Sequence, residues 1–153
     1  MDRLSKAKRS WNMSRIRAKN TSPEVAVRSI IHSLGYRFRL HPRHVFGCPD
    51  IVLPRLRTVV LVHGCFWHRH PKCRYTYRPK SNLEFWNRKF QANMKRDEIV
   101  RKRLRNDGWR MLVVWECELR KPARVTRRLA RLLGTAKTMR RPAQRRMVKR
   151  VRA

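Results

Sequence analysis

Residues 59–73 read VVLVHGCFWHRHPKC, and the fold turns on this stretch. Val59 to Val62 is a short apolar run of mostly β-branched residues, which predicts a buried strand. Beyond it, two cysteines and three histidines fall between His63 and Cys73, with Phe66 and Trp67 among them. Thiolate and imidazole are the usual zinc ligands, and Cys65, His70 and Cys73 could close around one ion. A closed structural site needs a fourth donor. Cys117 is favoured because it follows the end of a later strand, and Cys48 and His68 are its rivals. His63 is then left for other chemistry, and so is His68 if it is not the fourth ligand.

Upstream, Asp50-Ile51-Val52-Leu53 leads an acid into a second buried strand. Leu56 and Arg57 make a tight turn, so the two strands are expected to pair as a hairpin. That pairing would bring Asp50 to the end of the strand that carries Val62 and His63. A carboxylate is costly there unless a cation or strong donors offset it. Asp50 with the Val62 carbonyl would suit Mg²⁺, which favours oxygen and keeps several waters. A neutral His63 or His68 imidazole could take a proton from such a water. The plainer alternatives are a turn aspartate bonded to local amides and histidines that serve as phosphate contacts.

Before the hairpin, Thr21-Ser22-Pro23-Glu24 opens a helix, with Ser22 as the expected cap and Pro23 at the first helical position. Glu24 either satisfies the helix dipole or points back at a metal. Val27, Ile30, Ile31 and Leu34 form the apolar stripe, and Gly35 ends it. Tyr36, Phe38 and Leu40 alternate with basic residues and predict a half-exposed strand. After the cysteine–histidine stretch, a long helix is expected from about Asn82 to Asn106. Trp86 lies on its apolar face, and Asn93 and Asp97 share one side, four residues apart. Asp97 could simply pair with Arg101. Trp109 to Trp115 reads as a central strand, and a last helix starts at Pro122. The order is helix, three strands, helix, strand, helix, which implies an α/β or α+β layer with a small mixed sheet.

The chain has 153 residues, enough for one domain with a real core, and 41 basic against 9 acidic side chains, a net charge of +32. Such a charge needs an anionic partner, first of all nucleic acid, bound largely through counterion release. Residues 1–20 are a basic arm in which Trp11 or Met13 could wedge between bases. Residues 21–134 are the folded domain, and residues 135–153 a basic, disordered tail. No apolar leader precedes the four cysteines, so a metal site in the cytoplasm is expected rather than disulfides. No run is long enough to span a membrane.

Several separated motifs agree in order and spacing with one known family. KRSWNMSRIRAKNTSPE, CPDIVL, VHGCFWHRHPKC, NMKRD and RMLVVWEC, over roughly residues 5–120, resemble the very-short-patch-repair mismatch endonucleases. The resemblance implies a restriction-endonuclease-like fold: a central mixed sheet flanked by helices, with a structural zinc site. It implies Mg²⁺-dependent nicking of double-stranded DNA just 5′ of the T in a T·G mismatch, the product of 5-methylcytosine deamination. On this resemblance Asp50 holds magnesium with the Val62 carbonyl, and His68 is the general base. His63 lies near the attacking water or phosphate, and Glu24 and Asp97 are supporting acids. Zinc falls to Cys65, His70, Cys73 and Cys117. Phe66 and Trp67, with Met13 opposite, would intercalate beside the mismatch, and Trp86 and Asn93 are further DNA contacts.

The sequence departs from the family at Val62, where threonine is familiar, and at Cys48, where a basic residue is common. A monomer is expected, with mismatch-repair proteins as further partners. The rival from another class is a zinc-containing nucleic-acid binder without catalysis.

Overall fold

The computed structural model describes residues 5–15 and 19–134. Part of the basic arm is helical: α1 spans Lys6–Ser14. The side chain of Met13 and the tail expected over 135–153 lie outside the described residues.

Helix α2 spans Ser22–Ser33. Its cap is Thr21 rather than the expected Ser22, which is the first helical residue. The Thr21 hydroxyl accepts from the Glu24 N–H, and the Glu24 carboxylate accepts from the Thr21 N–H, a reciprocal box that satisfies two otherwise orphaned donors. Thr21 is extended there (φ −68°, ψ 156°), as a cap residue must be.

Four strands form one sheet in the order β1 (Arg39–Leu40), β2 (Ile51–Leu53), β3 (Thr58–His63), β4 (Arg110–Trp115). The predicted hairpin is present: β2 and β3 are antiparallel, with Val52 opposite Val59. A short 3₁₀ turn, Pro54–Leu56, joins them, and Arg57 closes it in the left-handed region (φ 46°). β1 pairs antiparallel to β2 but is only two residues long. Tyr36, expected in that strand, is buried and instead donates its hydroxyl to the Leu133 carbonyl at 3.0 Å.

β3 and β4 run parallel, joined through helix α3 (Leu83–Asn106). β4 was expected to be central, yet it pairs only with β3 and closes the described sheet. Its apolar run reflects cover on both faces rather than pairing on both edges.

The two faces follow from strand alternation. Ile51, Leu53, Val60 and Val114 pack with Val27 and Ile31 of α2 and with Val125, Leu129 and Leu133 of the last helix, α4 (Pro122–Leu133). Val52 and Val59 pack on the other side with Val45 and with Leu104 of α3. The turn that leads into β2 is held against α3 as well. Gly47 has φ +78°, and a Cβ there would meet Val100 Cγ1 at 2.7 Å, so no side chain fits. This fixes where Asp50 enters the sheet. Among the described residues no helix is long and apolar enough to cross a membrane.

Candidate functional site

The C-terminal end of β3 gathers three side-chain clusters. The first comes from the hairpin. Asp50 Oδ2 accepts the Val62 N–H at 2.7 Å, so the acid is fastened to the strand end as the sequence reading required. Its other oxygen receives no hydrogen bond from the described residues. Burial pushes the Asp50 carboxyl above its ordinary range, the Val62 N–H opposes that, and the nearby Glu24 charge adds to it. Ligand atoms of Asp50, Glu24 and His41 lie within 4.8 Å of one another. Such a carboxylate with a free oxygen, beside a strand-end carbonyl, fits a hard divalent cation.

Glu24 is 4 % exposed, and both its oxygens are engaged. Oε1 accepts from the Thr21 hydroxyl at 2.8 Å; Oε2 accepts from the Asn20 N–H at 3.0 Å and from Arg28 at 2.7 Å. The plainer role of Glu24, satisfying the helix start, is therefore real, and it reaches the cluster in addition. His41 and Arg28 had not been singled out. Arg28 lies four residues after Glu24 on α2, the spacing that pairs opposite charges. For His41 the signal is the hairpin register: Leu40 faces Ile51, so the next pair outward is His41 and Asp50.

The second cluster faces α3. His68 Nδ1 stands 2.5 Å from Asp97 Oδ2. A carboxylate only accepts, so Nδ1 is the donor in this bond and Nε2 is the nitrogen turned away from Asp97. This replaces the default pairing of Asp97 with Arg101; it is Glu98 that pairs one turn on, with Lys102 at 2.8 Å. The His63 ring stacks on His68 at 3.9 Å, 7° from parallel. Burial pushes His63 down to about 4, and the neighbouring His68 adds to this, so His63 is neutral at pH 7. The sequence reading put Asp50 and both histidines in one constellation. The structure places them in two adjoining groups of donors: Asp50 with Glu24 and His41, and the histidines with Asp97. The groups adjoin at Val62–His63, since Asp50 is bonded to Val62 and His63 belongs to the second group.

The third cluster is Cys65, His70, Cys73 and Cys117, whose donor atoms all lie within 4.8 Å of one another. His70 Nδ1 is 3.6 Å from Cys65 Sγ and 3.4 Å from Cys117 Sγ. Tetrahedral zinc with ordinary bond lengths has sulfur–nitrogen edges of about 3.6 Å, so the donor set fits that ion. Burial pushes the Cys65 thiol up to about 12, so a cation is what would favour its thiolate form. Cys48 is exposed and apart from this cluster, and His68 is taken by Asp97, so neither rival competes as fourth donor. Trp115 stands between the clusters. Its indole stacks on His70 at 4.0 Å and meets His63 edge-on at 5.2 Å.

The apolar residues of the loop also converge. Phe66 meets Trp67, Trp86 and Phe90 at centroid distances of 5.0, 5.3 and 5.2 Å. Phe66, Trp67 and Trp86 are half-buried, flanked by exposed Phe85 and Met94. Asn93 donates its amide to the Trp67 carbonyl at 3.1 Å, which holds the aromatic loop to α3.

Comparison with known proteins shows the family. The profile of the family described as DNA mismatch endonuclease Vsr matches residues 1–74. The type II nicking enzyme V.XorIIP of Xanthomonas oryzae pv. oryzae is 50 % identical over 132 residues, 86 % of this chain and 96 % of that protein. V.NmeAIP, a type II nicking enzyme of Neisseria meningitidis, is 42 % identical over 136 residues, 89 % of this chain and 96 % of that one. The DNA mismatch endonuclease Vsr of Escherichia coli is 40 % identical over 121 residues, 79 % and 77 % of the two chains. The class is thus a nuclease that acts on DNA. Within it, this chain belongs to the Vsr family of DNA mismatch endonucleases.

Proposed function

We propose that this protein nicks one strand of duplex DNA immediately 5′ of the T in a T·G mismatch, on a restriction-endonuclease-like sheet. The observation that carries the reading is the end of β3, where Asp50 is bonded to the Val62 N–H and the next residue, His63, stacks on the His68 that is paired with Asp97. The names of the relatives, nicking enzymes and a mismatch endonuclease, support the reaction class.

In this reading Asp50 and the Val62 carbonyl hold Mg²⁺, which when bound supplies charge neutralisation on the scissile phosphate and the departing oxygen. His68 Nε2 accepts the proton of the attacking water. Asp97 keeps the opposite nitrogen protonated and stabilises the imidazolium that forms, the usual service of a carboxylate behind a histidine. His63, neutral and stacked, holds the His68 ring in plane. Cys65, His70, Cys73 and Cys117 hold structural zinc and so tie the loop after β3 to the end of β4. Phe66, Trp67 and Trp86 form the wedge beside the mismatch, where a wobble pair is cheaper to unstack than a matched one.

The test is nicking of otherwise identical T·G and T·A duplexes, with Mg²⁺ or with EDTA. Cutting of the T·G duplex alone, 5′ of the T and only with the metal, is expected. Equal cutting of both duplexes would remove the mismatch role and leave a nuclease. A second expectation concerns Asp97→Asn, which leaves His68 without a carboxylate acceptor. Single-turnover nicking should fall by about 10²–10⁴-fold with duplex affinity unchanged. A rate within a few-fold of the unaltered protein would remove the Asp97 carboxylate from the reaction.

A further inference from the structure

The proposed chemistry leaves one large feature of the molecule unused. A groove of about 1000 Å³ runs between the loop at Cys73 to Tyr75 and the face of α4. Its only acid is Glu118, and Glu118 is occupied: Oε2 accepts from the Trp115 N–H at 2.8 Å and from Arg128 at 3.0 Å. The rest of the charge is positive. Arg74 and Arg120 each place a guanidinium 4.8 Å from the Tyr75 ring centre, so the wall carries two cations on one aromatic ring. Lys121, Arg124, Arg127 and Arg131 line the groove, and among the described residues none has a carboxylate within ion-pair distance.

The placement of these cations works against the helix that bears them. α4 has no acid in its first turn, and its N-cap, Lys121, makes no side-chain capping bond. The N-terminal end of a helix already carries positive partial charge, so Lys121 and Arg124 there are repelled unless an anion joins them. The segment that follows α4, residues 135–153, contains no Asp or Glu either.

We propose that this groove is a second phosphodiester-backbone site, which holds the DNA duplex beyond the segment engaged at the nicking centre. Lys121, Arg124, Arg127 and Arg131 recur at intervals of three and four along α4, a stripe about 15 Å long. Phosphates advance about 3.4 Å along the axis per nucleotide of one strand, so the stripe matches a path of about four nucleotides. Cys73 and Cys117 stand in the groove wall, and the other half of their cluster lies in the loop that carries His68. The groove and the nicking centre are therefore fixed to one another through the same cluster. This inference rests on membership of a DNA-acting family and not on the T·G reading.

The test uses the full chain with Arg124, Arg127 and Arg131 all changed to Gln, each exposed and outside both candidate cores. Affinity is measured against salt on a long duplex and on a short one that only spans the mismatch. On the long duplex the slope of log affinity against log salt should shrink by about 2–3, since each lost phosphate contact removes about 0.9. Binding of the short duplex, the melting temperature and the single-turnover nicking rate at saturation should be unchanged. Lys at the same three positions should restore the slope. An unchanged slope would overturn the proposal and leave the groove as solvated charge. Equal loss on both duplexes would also overturn it, by placing these arginines at the cut itself. Loss of binding to poly-glutamate with DNA binding intact would assign the groove to an acidic protein instead. Because binding is read without cutting, failure of the mismatch reading would leave this result standing.

Discussion

Asp50→Asn is expected to abolish nicking while duplex binding is retained or strengthened. Asparagine keeps the volume and an acceptor for the Val62 N–H, so the hairpin end stays as it is. What is lost is the negative charge that the proposed Mg²⁺ site requires. A loss of at least about 10³-fold in single-turnover rate is expected, which corresponds to about 4 kcal/mol of transition-state stabilisation. Binding should not suffer, because a negative charge near the DNA phosphates is removed. Stability gives an independent sign. Burial raises the Asp50 pKa, so the folded chain holds this proton more tightly than the unfolded chain. Above the folded pKa the ionised group therefore costs the metal-free fold stability, and the neutral amide should melt at or above the unaltered protein. Nicking within tenfold of the unaltered protein would remove Asp50 from the reaction.

The second large effect is on the fold. Cys117 lies in the 3₁₀ segment Glu116–Arg120, directly after β4, and its thiol meets His70 from the loop that follows β3. In the proposed zinc site it is the only ligand contributed from outside that loop. Cys117→Ser should therefore release the metal and unfasten the loop from the sheet, and structural zinc contributes folding free energy directly. A cost of about 3 kcal/mol would lower the melting temperature by about 6–12 °C for a domain of this size. Zinc content by elemental analysis, together with melting before and after chelation, reads both consequences. One zinc per chain retained with unchanged melting would contradict the ligand assignment.

Much of the architecture could be read in advance because it is local. The β2–β3 hairpin follows from two apolar runs separated by a short turn, and α3 from the apolar face on which Trp86 lies. The fourth donor was open on spacing, since Cys117 lies far from Cys65 in the chain, and only the parallel β3–β4 pairing brings the two strand ends together. Other features were illegible for the same kind of reason. Whether β4 is central or at an edge is decided by strand order, which no periodicity within Arg110–Trp115 encodes. Thr21 and Ser22 are both good caps, and the reciprocal bond with Glu24 chooses between them. That Asp50 and the two histidines fall into separate groups of donors depends on the loop after β3, which carries His68 to Asp97 on α3, and no local pattern encodes that approach.

That separation makes the position of the divalent ion the central question. It is answered most directly by diffraction from crystals soaked in Mn²⁺, with the anomalous signal recorded at the manganese edge. The account predicts a peak against the Asp50 carboxylate and the Val62 carbonyl oxygen. A peak held instead by His63, His68 and Asp97, with none at Asp50, would contradict it.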